Sequence, residues 1–244
     1  AATTSHPYSM KEPWDNMDIN SRGVINLLEA IKKLVKNIIF IHVGTSTQLG
    51  PLVYTPADEL HPEFPTDIYS ANKMVSEKYV LLYSHAYGIN GSVVRLSNVY
   101  GPRAAIQSPD LTFNNYFIGL ALQKKNITVY TPGTQIRNIL YVDDAVQALI
   151  KAIKSNKSRG NTFFAVSNEH KTVIEIARKT SDILGGQVHL IDWPKDRAAI
   201  EVGDAIISNK KIEKLLGWKP RVTFTQGLAK TKNYYLSCLD KYIK

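Results

Sequence analysis

The stretch "NSRGVINLLEAIKKLVKNIIFIHV" (Asn20–Val43) reads as a helix feeding a buried strand. Val24, Leu27, Leu28 and Ile31 recur at the spacing that puts them on one helical face. The apolar run "NIIFIHV" (Asn37–Val43) then reads as a buried strand. Outward from this pair the alternation continues. A loop rich in Pro, Thr and acids (Pro51–Asp67) leads to a helix predicted over about Tyr69–Tyr87, and "SVVRLS" (Ser92–Ser97) reads as the next strand. After "NVYGPR" come a helix near Leu111–Lys125, the strands "ITVYT" and "RNILYV", a helix at about Asp143–Lys154 and the buried strand "NTFFAVS" (Asn161–Ser167). Thr172 and Glu175 form a capping box opening "TVIEIARKTSDILG", and the rest is helix-rich, closing on an amphipathic helix at about Thr225–Tyr242. This order places the chain in the α/β class with a mainly parallel sheet.

Composition narrows the function. The 244 residues suffice for one large domain or two interleaved ones, and 44% hydrophobic content is that of an ordinary soluble globular protein. No apolar run approaches the ~18–20 residues of a membrane span, and no basic-then-apolar leader opens the chain, so a soluble, cytoplasmic protein without a membrane partner is expected. Cys238, the single cysteine, excludes an internal disulfide framework and a cysteine-based zinc cluster and suits a reducing compartment. The formal charge of +9 favours anionic partners. Its densest doublets, Lys32-Lys33 and Lys210-Lys211, lie on predicted amphipathic helices, and no nucleic-acid motif accompanies them, so a phosphate-bearing small molecule is expected rather than nucleic acid.

Candidate chemistry lies where the predicted strands end. Tyr69 and Lys73 in "YSANK" are four residues apart and share a helical face. A phenol titrating near ~10 is a poor base at neutral pH, and a cation held beside it stabilises the phenolate. Thr45, Ser46 and Thr47 follow the strand ending at Val43, and Asn98 follows "VVRLS". Ligands of open α/β sheets bind beyond the carboxyl ends of such strands, so these segments are expected to converge on one crevice.

The ordered set of Thr45, "YSANK", "RLSNVYGP", the "AA" pair at Ala1-Ala2, Asn20 with "NLLEA", the R-x-x-x-Y-V-D-D pattern of Arg137–Asp144 and "LGWKP" (Leu216–Pro220) resembles the extended short-chain dehydrogenase/reductases, specifically the UDP-glucose 4-epimerase-like nucleotide-sugar epimerases and dehydratases. The resemblance implies a partial Rossmann-type doubly wound parallel sheet with a smaller interleaved substrate-binding lobe. Residues 1–102 are then the C-terminal portion of a dinucleotide-binding domain, and residues 103–244 mainly a substrate lobe, with about 137–167 returning to the Rossmann sheet. It further implies C4 epimerisation of a nucleotide-diphosphate sugar with bound NAD, in a homodimer formed through the Tyr69 helix and the one before it. By the same resemblance Tyr69 is the base, Lys73 binds the nicotinamide ribose and lowers the Tyr69 pKa, and Thr45 holds the reacting oxygen. Ala2, Asn20 and Ser97 join Tyr69 and Lys73 around the cofactor, and Asn98, Arg137 and Arg197 join Thr45 around the substrate.

The departures are equally informative. Family dehydratases follow the Thr with Asp-Glu, and related decarboxylases keep a Glu; here Ser46 and Thr47 stand there, which ranks epimerisation above dehydration and decarboxylation. Glu201 stands where family epimerases often carry an Arg ahead of a Gly-Asp pair, leaving Arg197 as the nearest substitute. No strand leads into a glycine-rich pyrophosphate turn, and alignment on "AATTS" puts about 75 residues of the usual unit ahead of Ala1. Weak NAD binding and an exposed apolar sheet edge are therefore expected of this chain, and a catalytically inactive nucleotide-sugar-binding or oligomerising module is the alternative to an enzyme.

Overall fold

The computed structural model of the chain describes residues 2–34 and 38–243. Ala1 of the "AA" pair and Asn37, the first residue of the expected strand, lie outside the described residues. In chain order the elements are α1 (His6–Lys11), α2 (Pro13–Met17), a π-helical turn (Asp18–Arg22), α3 (Gly23–Leu34), β1 (Ile39–Thr45), a 3-10 turn (Ser46–Leu49), α4 (Ile68–Tyr87), β2 (Asn90–Leu96) and β3 (Asn98–Tyr100). They continue through α5 (Phe113–Leu122), β4 (Ile127–Tyr130), β5 (Ile136–Tyr141), α6 (Val142–Lys154), β6 (Thr162–Ala165) and β7 (His170–Thr172). The last are α7 (Val173–Leu184), β8 (Val188–Ile191), α8 (Lys195–Ala198), α9 (Lys210–Leu216) and α10 (Phe224–Leu236).

The main sheet is parallel, in the order β1-β2-β6, with Val43 opposite Val94 and Val94 opposite Phe163. Successive strand residues face opposite ways, so Val93 packs with Leu28 and Ile31 of α3 and Val80 of α4, while Val94 packs with Ala145, Ala148 and Ala152 of α6 and Ile212 of α9. Helices thus cover both faces, the doubly wound arrangement that near-continuous apolar strands require. Among the described residues β1 pairs only with β2, and Ile39 and Val43 are exposed on it. Strand β6 joins this sheet, whereas β5 pairs with β3 and β7 in a second one. A separate core, with Phe117 and Ile118 of α5, Ile176 and Ala177 of α7 and Leu228 of α10, holds the rest of the chain, with β4 and β8 paired beside it.

Local chemistry fixes the ends of the key helices. Asp67 caps α4 by accepting the Ser70 N–H at 2.8 Å, and Gly88 ends it in the left-handed conformation (φ 71°). The Thr172–Glu175 capping box opens α7, and Thr223 with Gln226 opens α10 in the same way. Asn20 is not a helix cap but sits inside the π-helical turn. The last helix stops at Leu236, short of Tyr242, because the tail folds back: the Tyr242 ring packs on Tyr235 at 5.0 Å and its hydroxyl meets that of Tyr234 at 2.7 Å. The distant motifs "YVDD" and "LGWKP" meet, since Trp218 donates to the Asp144 carbonyl at 3.0 Å and the Asp144 carboxylate accepts the Arg221 and Val222 N–H groups at 3.0 and 2.9 Å.

Candidate active site

The end of β1, the start of α4 and the N-terminal segment meet at one place. Thr45 closes β1, and its Oγ1 accepts the Thr47 N–H at 3.3 Å and lies 3.0 Å from Thr47 Oγ1. Thr47 Oγ1 is 2.8 Å from Ser70 Oγ, Ser70 donates to Asp67 Oδ2 at 2.9 Å, and the same carboxylate oxygen is 2.7 Å from Nδ1 of His6. Asp67 is ionised: burial raises its pKa, but the His6 hydrogen bond and the two from Ser70 outweigh this and hold it below the usual value. A carboxylate only accepts, so Ser70 donates to Asp67 and Thr47 to Ser70.

Tyr69 stands beside this row. Its N–H donates to Ser9 Oγ at 3.0 Å, and its ring meets that of His6 edge to face, with centroids 4.9 Å apart. Burial pushes its phenol up to about 12, while a hydrogen bond with the Thr45 hydroxyl pulls it down. Lys73 is not among the influences on Tyr69, so the expected lowering of the phenol pKa by the ammonium is not what this arrangement shows. Desolvation of the buried phenol wins. Lys73 itself is buried and held down at about 8 by desolvation, with the Glu77 carboxylate one turn on acting against it. His42 of β1 lies nearby, and burial, then the Lys73 charge, hold its imidazole neutral with a pKa of about 3.

Lys73 destabilises the fold that carries it. A pKa lowered from 10.5 to about 8 corresponds to on the order of 3 kcal/mol lost at pH 7. The folded value lies below the unfolded one for a cation, so the loss is complete below about pH 8, fades as the pH rises and is gone above 10.5. Lys73→Met is therefore expected to raise the unfolding free energy in denaturant at pH 7 and to lose that advantage by pH 10.5.

A cavity of about 270 Å³ opens against this cluster. His6, Ser46 and Thr47 form the wall next to Tyr69, and Asn98, Arg137 and Arg197 line it elsewhere. Thr45, Tyr69 and Lys73 lie buried behind that wall rather than lining it. Both arginines are matched by carboxylates: Arg137 pairs with Glu201 and donates to the Gly203 carbonyl at 2.5 Å, and Arg197 pairs with Asp110. Asn98 donates to the Asn138 carbonyl at 3.2 Å, and Ser97 donates to the Asn138 side chain at 2.9 Å. Asn20 is buried among Thr3 and Asn16, with its Oδ1 lacking a partner, and Ala2 is exposed.

Sequence reasoning missed His6, Asp67 and the aromatic pair Tyr130–Trp193, whose rings lie 4.7 Å apart on the cavity wall. Asp67 could have been found as the cap ahead of the Tyr69 helix. His6 gives no local signal, because it acts on a carboxylate 61 positions away.

Residues 1–231 match the family model described as GDP-mannose 4,6 dehydratase. The chain belongs to this family. It is one of the extended short-chain dehydrogenase/reductases that include nucleotide-sugar epimerases and dehydratases. The chain is similar to the UDP-glucuronate 4-epimerase of Thermodesulfobacterium geofontis, at 29% identity over 93% of this chain and 68% of that one. It is also similar to UDP-glucuronic acid decarboxylase 1 of Xenopus tropicalis, at 29% identity over 98% of this chain and 56% of that one. The crystal structure of the UDP-glucuronic acid 4-epimerase of Bacillus cereus, in complex with UDP-glucuronic acid and NAD, superposes with a TM-score of 0.84 at 25% identity, over 97% of this chain and 74% of that one.

Proposed function

We propose that this chain carries the catalytic and substrate-binding part of an NAD-dependent 4-epimerase acting on a nucleotide-diphosphate sugar. The observation that carries the reading is the pairing of Thr45 with Tyr69, one helical turn before a buried Lys73, in a site whose flanking positions are the hydroxyls Ser46 and Thr47 instead of carboxyl groups. Bound NAD would supply the hydride acceptor and donor for C4. Two groups fit it here: Lys73 Nζ has no hydrogen-bond or ion-pair partner among the described residues and suits a ribose diol, and the buried Asn20 Oδ1 lacks a donor. Tyr69 takes and gives back the hydroxyl proton and Thr45 holds the C4 oxygen while the sugar turns over, and because both are buried behind His6, Ser46 and Thr47 the bound sugar has to displace part of that wall to reach them. Arg137 and Arg197 present guanidinium forks to the diphosphate, which competes with Glu201 and Asp110 for them.

Neither Ser46 nor Thr47 can supply the acid and base for eliminating water, and this favours epimerisation over the decarboxylase and dehydratase chemistries of other relatives. The test is conversion of a UDP-sugar by the chain supplied with NAD, with the product's configuration at C4 read by NMR. Absence of conversion with the diphosphate bound would leave an inactive binding module.

A homodimer through α3 and α4 belongs to the same proposal. Leu27 on α3 and Leu82 and Tyr87 on α4 are exposed by 53, 58 and 54%, an apolar surface that a symmetric partner can cover. Sedimentation is expected to show a dimer that Leu82→Asp turns into a monomer; an unchanged sedimentation coefficient places the interface elsewhere.

A further inference from the structure

We propose that a groove between α9 and the Pro51–Asp67 loop is a second anion site, which binds a chain of linked phosphates through Lys210, Lys211, Lys214 and Ser208. The groove has a volume of about 360 Å³, within the range of small-ligand sites. Asp58 and Glu59 of the loop also line it. It shares no residue with the sugar cavity, although Ser208 of the groove directly follows Ile207 of the cavity wall.

The two carboxylates of the groove are already engaged. Asp58 Oδ1 accepts from the Tyr54 hydroxyl at 2.7 Å and from the Leu60 N–H at 3.0 Å, and Glu59 Oε1 accepts the Phe164 N–H of β6 at 2.8 Å. Burial raises the Glu59 pKa against the pull of the nearby Lys211, which makes this carboxyl a weak counter-ion. The three ammonium groups have no ion-pair partner among the described residues, and Glu213, the acid of α9, is held by Lys219 at 2.6 Å. Lys211 is half-buried, with its Nζ 5.3 Å from the centroid of the Phe163 ring. Ser208 Oγ accepts the Lys210 N–H at 3.3 Å, and its own hydrogen has no acceptor among the described residues.

Helix α9 gains nothing for itself from these charges. Lys214 follows Lys211 by three positions and Lys210 by four, so like charges are neighbours on one helical face. Lys210 and Lys211 also lie in the first turn, where a cation opposes the helix dipole. The packing of α9 comes from Ile212 and Leu216 on its other side. A bound polyanion removes the repulsion, and ammonium groups on flexible stems can follow successive phosphates as point charges, whereas the planar guanidinium forks of the sugar cavity suit one fixed geometry. Inorganic polyphosphate and a nucleoside triphosphate both present such a chain.

Calorimetric titration with tripolyphosphate, and in parallel with ATP, tests this in the presence of excess UDP to fill the sugar cavity. One tripolyphosphate is expected per chain, with affinity falling roughly 10–100-fold in the double variant Lys210→Gln, Lys214→Gln. That variant is expected to keep the thermal transition and the UDP binding of the parent. The variant Lys11→Gln, Lys179→Gln removes the same charge from exposed positions elsewhere and is expected to bind tripolyphosphate within about twofold of the parent. ATP binding at least as tight as tripolyphosphate assigns the groove to a nucleoside triphosphate, and weaker ATP binding assigns it to inorganic polyphosphate. Absence of tripolyphosphate binding while UDP is present, or an equal loss in both double variants, overturns the groove as a site and leaves the reading of the sugar cavity standing.

Discussion

Tyr69→Phe is expected to lower conversion of a supplied nucleotide sugar by roughly 10²–10⁴-fold, the usual contribution of a positioned acid–base group. The substitution removes one oxygen and leaves the ring, so the edge contact with His6 at 4.9 Å and the backbone bond to Ser9 at 3.0 Å persist. The loss should therefore fall on kcat, with KM and thermal stability close to those of the parent. A phenol at about 12 is neutral at pH 7, and its working as a base depends on a cation that stabilises the phenolate as the proton moves. Lys73 is the cation within one helical turn. It gives up its own proton at about 8, so the fraction of chain holding both phenolate and ammonium, and with it activity, is expected to rise with pH towards 8 and to level off above it. Steady-state rates across pH check the rise and the plateau. A Tyr69→Phe variant that keeps most of its kcat removes the phenol from the chemistry.

Arg95→Met is expected to destabilise the chain by about 3–5 kcal/mol, because it strands a buried carboxylate. Arg95 of β2 and Glu77 of α4 are each 1% exposed, and the guanidinium donates to Glu77 at 2.6 and 2.8 Å and also engages Glu63. Thr162 of β6 and Gln48 add bonds to Glu77 at 2.9 and 3.0 Å. One carboxylate thus ties α4 to two strands of the main sheet. The consequence reaches the site, since Glu77 lies one turn beyond Lys73 and supports its charge. Equilibrium denaturation measures the loss, and the double variant Arg95→Met, Glu77→Leu is expected to be less destabilised than Arg95→Met alone, since no unpaired charge remains. A single variant within about 0.5 kcal/mol of the parent would mean that water reaches the pair.

The sequence made β1, β2, β4, β5 and β6 legible because they are mainly apolar, and α4 and α7 legible because their caps are local, whereas the short β3, the polar β7 (His-Lys-Thr) and β8 were not read. Val93 and Val94 show why burial on both faces reads so plainly: neighbouring residues enter opposite cores. The π-helical turn at Asp18–Arg22 and the fold-back after Leu236 were not legible, since each is set by contacts outside its own periodicity. At the site, Thr45, Tyr69 and Lys73 came from spacing and resemblance; the structure sets Thr45 against Tyr69 and buries Lys73 one turn further along α4. The partners of Arg137 and Arg197 did not, because Glu201 and Asp110 are 64 and 87 positions away. The Tyr69 pKa could not be read at all. Spacing reports that a cation is near, whereas burial decides which way the phenol moves.

The proposed reaction is a mass-conserving inversion at C4, carried out beside hydroxyls instead of carboxyl groups. Its most direct measurement is the product formed from UDP-glucuronic acid or UDP-glucose when the chain is supplied with NAD, analysed together by mass and by NMR. The C4 epimer is expected at unchanged mass, formed by the parent chain and lost in Tyr69→Phe. A product lighter by water or by carbon dioxide contradicts it.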